Sequence, residues 1–169
     1  MNKIITILAV FAFGAIHVSG SPEQIKTVQS DVTIIIHAVY DSDHETALRF
    51  THPKILEMMG GKEKVTEALK EAFSTFEALD MSIESLAFPE APRFFAGKEN
   101  VYVTVPTLTI MVANGKRVES LNFQFGIRKQ DEEEWTYIEG SRVTKESLKQ
   151  LFSDIPESIE LPPFYRKLK

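Results

Sequence analysis

The 169-residue chain has no cysteine. That absence excludes disulfides, thiolate metal sites, cysteine nucleophiles and a lipidated cysteine behind an export signal. Long apolar runs are also missing beyond residue 16, and the run over residues 4–16 is shorter than the roughly 20 residues that cross a bilayer. Basic clusters are scarce: 19 Lys and Arg are scattered among 24 Asp and Glu, for a formal charge of -5, and only the terminal "YRKLK" is locally basic. Nucleic acid is therefore not an expected partner. With no G-x-S-x-G, P-loop or dinucleotide fingerprint, the readings of serine hydrolase, nucleotide hydrolase and Rossmann oxidoreductase have no motif behind them. The four histidines include no pair four residues apart and no H-E-x-x-H, so no zinc or iron site is expected and no cofactor is implied.

What is present starts with an export signature. Lys3 precedes the apolar run, and the small residues Val18-Ser19-Gly20 follow it. This pattern predicts a secretory signal peptide over residues 1–20, cleavage near Gly20 and Ser21, and a soluble mature chain that is periplasmic or secreted. Residues 21–169 suffice for one domain with its own core. Without disulfides, that core has to carry the stability.

The first part of the mature chain is helical in pattern. Ser21-Pro22-Glu23-Gln24 reads as a capping box with proline at the first helical position, and Ile25, Val28, Val32, Ile35, Ile36 and Val39 follow at helical spacing to about Tyr40. A second box at Ser42-Asp43-His44-Glu45 opens a short helix that ends at Thr51 or His52, ahead of Pro53. "PKILEMM" supplies another turn or two, Gly60-Gly61 stops it, and a third main helix runs from Lys62 to about Leu79.

From Met81 the period becomes two. "MSIESLAF" and "RFFAG" read as strands, two long strands meet at the hairpin signal Asn114-Gly115, and "EWTYIEGSRV" closes the sheet, all antiparallel. In the first long strand the apolar residues change parity, from Val101, Val103 and Val105 to Leu108, Ile110 and Val112. A bulge at Pro106-Thr107 would keep all six on one face and bend the sheet strongly. On its partner, Leu121, Phe123, Phe125 and Ile127 are expected on a packed face and Ser120, Asn122 and Gln124 on a polar one. Thr144 caps a short helix through Phe152, and a proline-rich tail completes residues 144–169.

The long first helix, "THPKILEMMGGKEKV" before the third, and "EWTYIEGS" together resemble the nuclear transport factor 2-like (SnoaL-like, cystatin-like) superfamily over residues 21–143. The resemblance implies an α+β cone, with three N-terminal helices packed on a strongly curved antiparallel sheet around an internal pocket. It also implies that members either bind small ligands or proteins, or run acid/base chemistry with an Asp/His or Asp/Tyr set in an apolar pocket.

Candidate site residues follow from the residues and that frame. His52, where the helix layer breaks, either points into the mouth of the pocket or hydrogen-bonds a helix end at the turn before Pro53. Tyr137 and Glu139 share a strand face with Trp135, so Glu139 belongs either to the pocket or to its rim in a salt bridge with Arg142. Tyr40 offers a phenolic hydroxyl. Phe76, with Phe73, Phe123 and Phe125, reads first as core, and as an apolar ligand wall if that core is under-filled. The favoured function is binding of a small, largely apolar ligand without chemistry, in a homodimer formed through the polar, threonine-rich outer sheet face. The alternatives are an isomerase or dehydratase using His52 with Glu139 or Tyr40, and a protein-interaction module using the C-terminal tail.

Overall fold

In a computed structural model the chain is α+β, and the described residues are 20–169 together with the backbone of residues 17 and 18. Most of the expected signal peptide lies outside them. A two-residue strand β1 (His17–Val18) precedes helices α1 (Pro22–Tyr40), α2 (His44–Phe50), α3 (Pro53–Met58) and α4 (Lys62–Ala78). Strands β2 (Ser82–Ala87), β3 (Arg93–Ala96), β4 (Asn100–Ala113), β5 (Lys116–Lys129) and β6 (Thr136–Glu139) follow, then helix α5 (Lys145–Leu151) and strand β7 (Tyr165–Leu168).

Local chemistry sets the helix boundaries. The box before α1 is closed both ways: Gln24 N donates to Ser21 Oγ at 3.2 Å, and Ser21 N donates to Gln24 Oε1 at 2.9 Å. The cap of α2 is Asp43, one residue later than the expected Ser42, and its carboxylate accepts from Thr46 N at 3.1 Å. Ser42 is unsuited to that role because it takes a positive φ of 58° in the turn. Gly60 and Gly61, with φ of 90° and 100°, separate α3 from α4. Val28, Val32, Ile35 and Ile36 on α1 are all buried. Each such side chain contributes about 1.5–3 kcal/mol to folding when fully removed from water.

All seven strands join one antiparallel sheet of order β1-β3-β4-β5-β6, with β2 also on β4 and β7 also on β5. The β4–β5 hairpin turns at Asn114 and Gly115, whose φ values of 49° and 71° are those the Asn-Gly signal calls for. Its ladder is uninterrupted from Asn100 opposite Lys129 to Ala113 opposite Lys116. The bulge expected at Pro106-Thr107 is therefore not there, and the register shift falls in β2, between Ile83 and Ser85.

The parity change has a different cause, which is that both faces of the sheet are covered. Val103 and Val105 pack with Phe94, Trp135 and Tyr137 against α1. Tyr102, Phe123, Phe125 and Ile127 point the other way, into a second core built with Leu148 and Phe152 of the α5 region and Ile159 of the tail. Ser120, Asn122 and Gln124 alternate with Phe123 and Phe125, so they face the helices rather than an outer polar surface.

Two carboxylates hold this second layer in place. Asp154 accepts from Glu99 N at 2.9 Å, Asn100 N at 3.0 Å and Asn100 Nδ2 at 3.1 Å, and also from the Tyr102 hydroxyl. Burial works against the Asp154 charge, yet these donors outweigh it and bring its pKa down to about 2. Glu119, its side chain only 10% exposed, receives Lys167 Nζ at 2.8 Å, Lys169 Nζ at 2.7 Å and the Tyr165 hydroxyl at 2.9 Å. The tail is thus a packed layer with a strand clamped at its end. Ile159 is 1% exposed within it, so Ile159→Ala is expected to cost about 2–4 kcal/mol in urea unfolding; a loss under about 0.5 kcal/mol would mean the layer is not part of the core.

Candidate functional site

Directly paired residues in an antiparallel sheet point the same way, so the ladders fix which side chains lie together under the helices. One row runs Glu139, Gln124, Val105. The next pairs Asn122 with Thr107, and the one beyond it runs Arg166, Ser120, Thr109, Leu86. A last row runs Leu168, Val118, Met111, Ile83. The helix-side face of β4 and β5 is therefore apolar near Val103 and Val105, and turns polar from Gln124 outward.

The polar part is unusual in its accounting. Thr107 and Ser120 are each 3% exposed and Gln124 is 8% exposed, yet none of their side chains makes a hydrogen bond to any described residue. Their polar atoms are nonetheless not sealed off: among the described residues the fully enclosed side-chain polar atom without a partner is Thr104 Oγ1, on the opposite face, so these hydroxyls and this amide keep contact with space that solvent-sized molecules reach. Their neighbour Thr109 donates to Ser120 O at 3.4 Å. Asn122 spends its amide on Glu139 and accepts from Phe123 N at 2.9 Å.

Four of the five residues marked in the sequence belong to this side. Tyr40 ends α1, stacks on Phe76 of α4 with ring centroids 5.6 Å apart, and turns its hydroxyl toward Met111 Sδ, a weak acceptor. Burial raises the Tyr40 pKa, while Arg166 lowers it and Glu139 raises it, so both charges act on this phenol. Tyr137 is buried and donates to Asp31 Oδ2 of α1 at 2.9 Å. Glu139 sits at the rim, where it accepts from Ser141 N at 3.3 Å and from the Ser141 hydroxyl, and lies 3.9 Å from Arg142 Nε.

His52 is placed differently. It caps α3, with Nδ1 accepting from Lys54 N at 3.2 Å, and its backbone N donates to Tyr137 O at 3.1 Å. Its ring stands edge-on to Phe152, 5.1 Å between centroids, and Phe152 belongs to the second core. The junction therefore docks on the free side of β6, and the imidazole is turned to the α5 layer, away from the rows that carry Gln124 and Thr107.

Sequence reasoning missed Asp31 and assigned Gln124 and Ser120 to the wrong environment. Asp31 lies three residues after Val28 and four before Ile35, which puts a carboxylate on the edge of the buried stripe of α1. Burial raises its pKa, against the lowering effects of the Tyr137 hydroxyl and Arg49. Among the described residues no cluster of three His, Cys, Asp or Glu side chains is arranged to hold a metal ion. No protein-family model, curated protein or solved structure matches the chain.

The burial of His52 also has a measurable consequence. Burial first, then the Lys54 charge, lowers its pKa from 6.5 to about 4. A histidine kept neutral by folding contributes stability above its unfolded value, and that contribution is lost as pH falls toward the folded one. The protein should therefore lose stability between about pH 6.5 and about pH 4, and His52→Asn should flatten that slope in denaturant titrations. An unchanged slope in the variant would place the pH dependence elsewhere.

Proposed function

We propose that this protein is an exported, non-catalytic binder of a small, largely apolar molecule, held between the helices and the outward half of β4 and β5. The observation that carries the reading is a group of largely buried polar side chains, Thr107, Ser120 and Gln124, whose polar atoms have no hydrogen-bond partner among the described residues yet stay open to solvent-sized space, flanked by Tyr40, Phe76 and Met111. A ligand with an apolar body and a polar end satisfies such a surface, since small-molecule sites combine apolar walls with a few converging polar groups. The cone with an internal pocket, and the kinship to nuclear transport factor 2-like proteins, are part of the same proposal. Support for them is the α+β order of helices followed by an antiparallel sheet.

The acid/base alternative draws less support in its expected form. His52 packs on Phe152, while Tyr40 and Glu139 belong to the opposite side of the sheet. An isomerase or dehydratase reading would instead use Asp31 and Tyr137, which share a 2.9 Å hydrogen bond. For a protein-interaction module, Tyr165–Leu168 is an edge strand already committed to β5. Self-association, retained as a proposal, would need a surface other than Ser120, Asn122 and Gln124.

The test exchanges polar for apolar at matched shape. These polar atoms make no hydrogen bond to a described residue, so Thr107→Val and Gln124→Leu are expected to leave the melting temperature within about 2 °C while weakening ligand retention. Destabilisation of both variants by more than about 1 kcal/mol would show that these side chains serve the fold and would count against a binding role.

A further inference from the structure

The row that ends at Arg166 extends the binding reading, on which this inference rests, to the chemistry of the ligand. Strand β7 presents alternate residues to opposite faces of the sheet. Tyr165 and Lys167 on one face, with Lys169 beyond the strand, are consumed by Glu119. Arg166 on the other face lies in register with Ser120 and Thr109, next to the row of Asn122 and Thr107. The strand that positions Arg166 is therefore fixed by a clamp in which Arg166 takes no part.

The Arg166 side chain, exposed at this edge of the sheet, forms no ion pair or hydrogen bond with any described residue. Glu139, the acid on the same face, is already occupied by Asn122, Ser141 and Arg142. The uncommitted groups are thus one guanidinium, the hydroxyls of Ser120 and Thr107, and the amide of Gln124, beside the apolar surfaces of Phe76, Tyr40 and Met111. Guanidinium and hydroxyl donors that share one sheet face beside an apolar surface match an oxyanion with several lone pairs, and a planar carboxylate meets the guanidinium fork two-pronged. An alcohol leaves that charge uncompensated, and an ammonium is repelled by it.

We propose that the site takes a small amphiphilic carboxylate, with Arg166 as its counter-ion and Ser120, Thr107 and Gln124 around its head.

The experiment is isothermal titration calorimetry of the full chain at low salt and neutral pH with octanoate, octanol and octylammonium. Octanoate should bind at least about tenfold more tightly than octanol, and octylammonium weakest. Arg166→Gln, whose side chain lies off the Glu119 clamp, should abolish the preference for octanoate without changing the melting temperature, and Arg166→Lys should keep part of it. Equal binding of octanol and octanoate, or a preference that survives Arg166→Gln, overturns the carboxylate assignment and leaves the binding reading standing. If none of the three probes binds, both the assignment and the reading beneath it are overturned.

Discussion

The structure depends on the two-sided burial of the β4–β5 hairpin. Val103 and Val105 point to α1, while Tyr102, Phe123 and Phe125 point to α5 and the tail, and all five are essentially out of water. A strand pair that is apolar on both faces has to be covered on both faces, so neither layer is optional. With no cysteine in the chain, the second layer is held instead by packing and by charge-assisted hydrogen bonds at Asp154 and Glu119. These two carboxylates fix opposite ends of the C-terminal segment, one against the start of β4 and one against β5.

The two covered faces are not alike, and their difference points to function. On the α5 side, Phe123, Phe125, Phe152 and Ile159 form a continuous apolar packing, in which Thr104 Oγ1 is an isolated unpaired atom. On the helix side the packing is closed around Val28, Val32, Val103 and Trp135, then gives way to hydroxyls and amides that no described side chain satisfies. Those groups stay open to solvent-sized space instead of being sealed in, which is the arrangement of a wall that faces a ligand. Gly126 contributes to the boundary between the two zones. A Cβ there would stand 2.6 Å from Val103 Cγ1 and 3.0 Å from Tyr137 Cε1, so its bare backbone lets the Tyr137 ring lie across the sheet toward Asp31.

Much of the element order was legible because it is written in local chemistry. The Ser21 box, the Gly60-Gly61 stop, the Asn114-Gly115 turn and the Thr144 box all act within a few residues of themselves. The parity change at Pro106 was misleading because periodicity reports that a face is apolar, and not which layer makes it so. A bulge and a second covering layer produce the same alternation, and only the docking of residues 155–169, encoded far along the chain, separates them. For the same reason Gln124 and Ser120 read as solvent-facing. Tyr40, Phe76, Tyr137 and Glu139 were reachable from strand and helix faces, and Asp31 from the edge of the α1 stripe, whereas the place of Arg166 follows from the pairing of β7 with β5, which no spacing announces. His52 stood out by its place ahead of Pro53, where the helix layer breaks, and its cap to Lys54 N and its packing on Phe152 account for that place.

The most direct measurement is native mass spectrometry of the protein recovered from an export-competent host, run beside its Gln124→Leu variant. The account predicts an adduct of a few hundred daltons on the unaltered chain that is diminished or lost in the variant, in keeping with the size of ligand such sites enclose. Clean apo masses for both proteins, or an adduct equally abundant on both, would contradict a ligand site built on the helix-facing polar rows of β4 and β5.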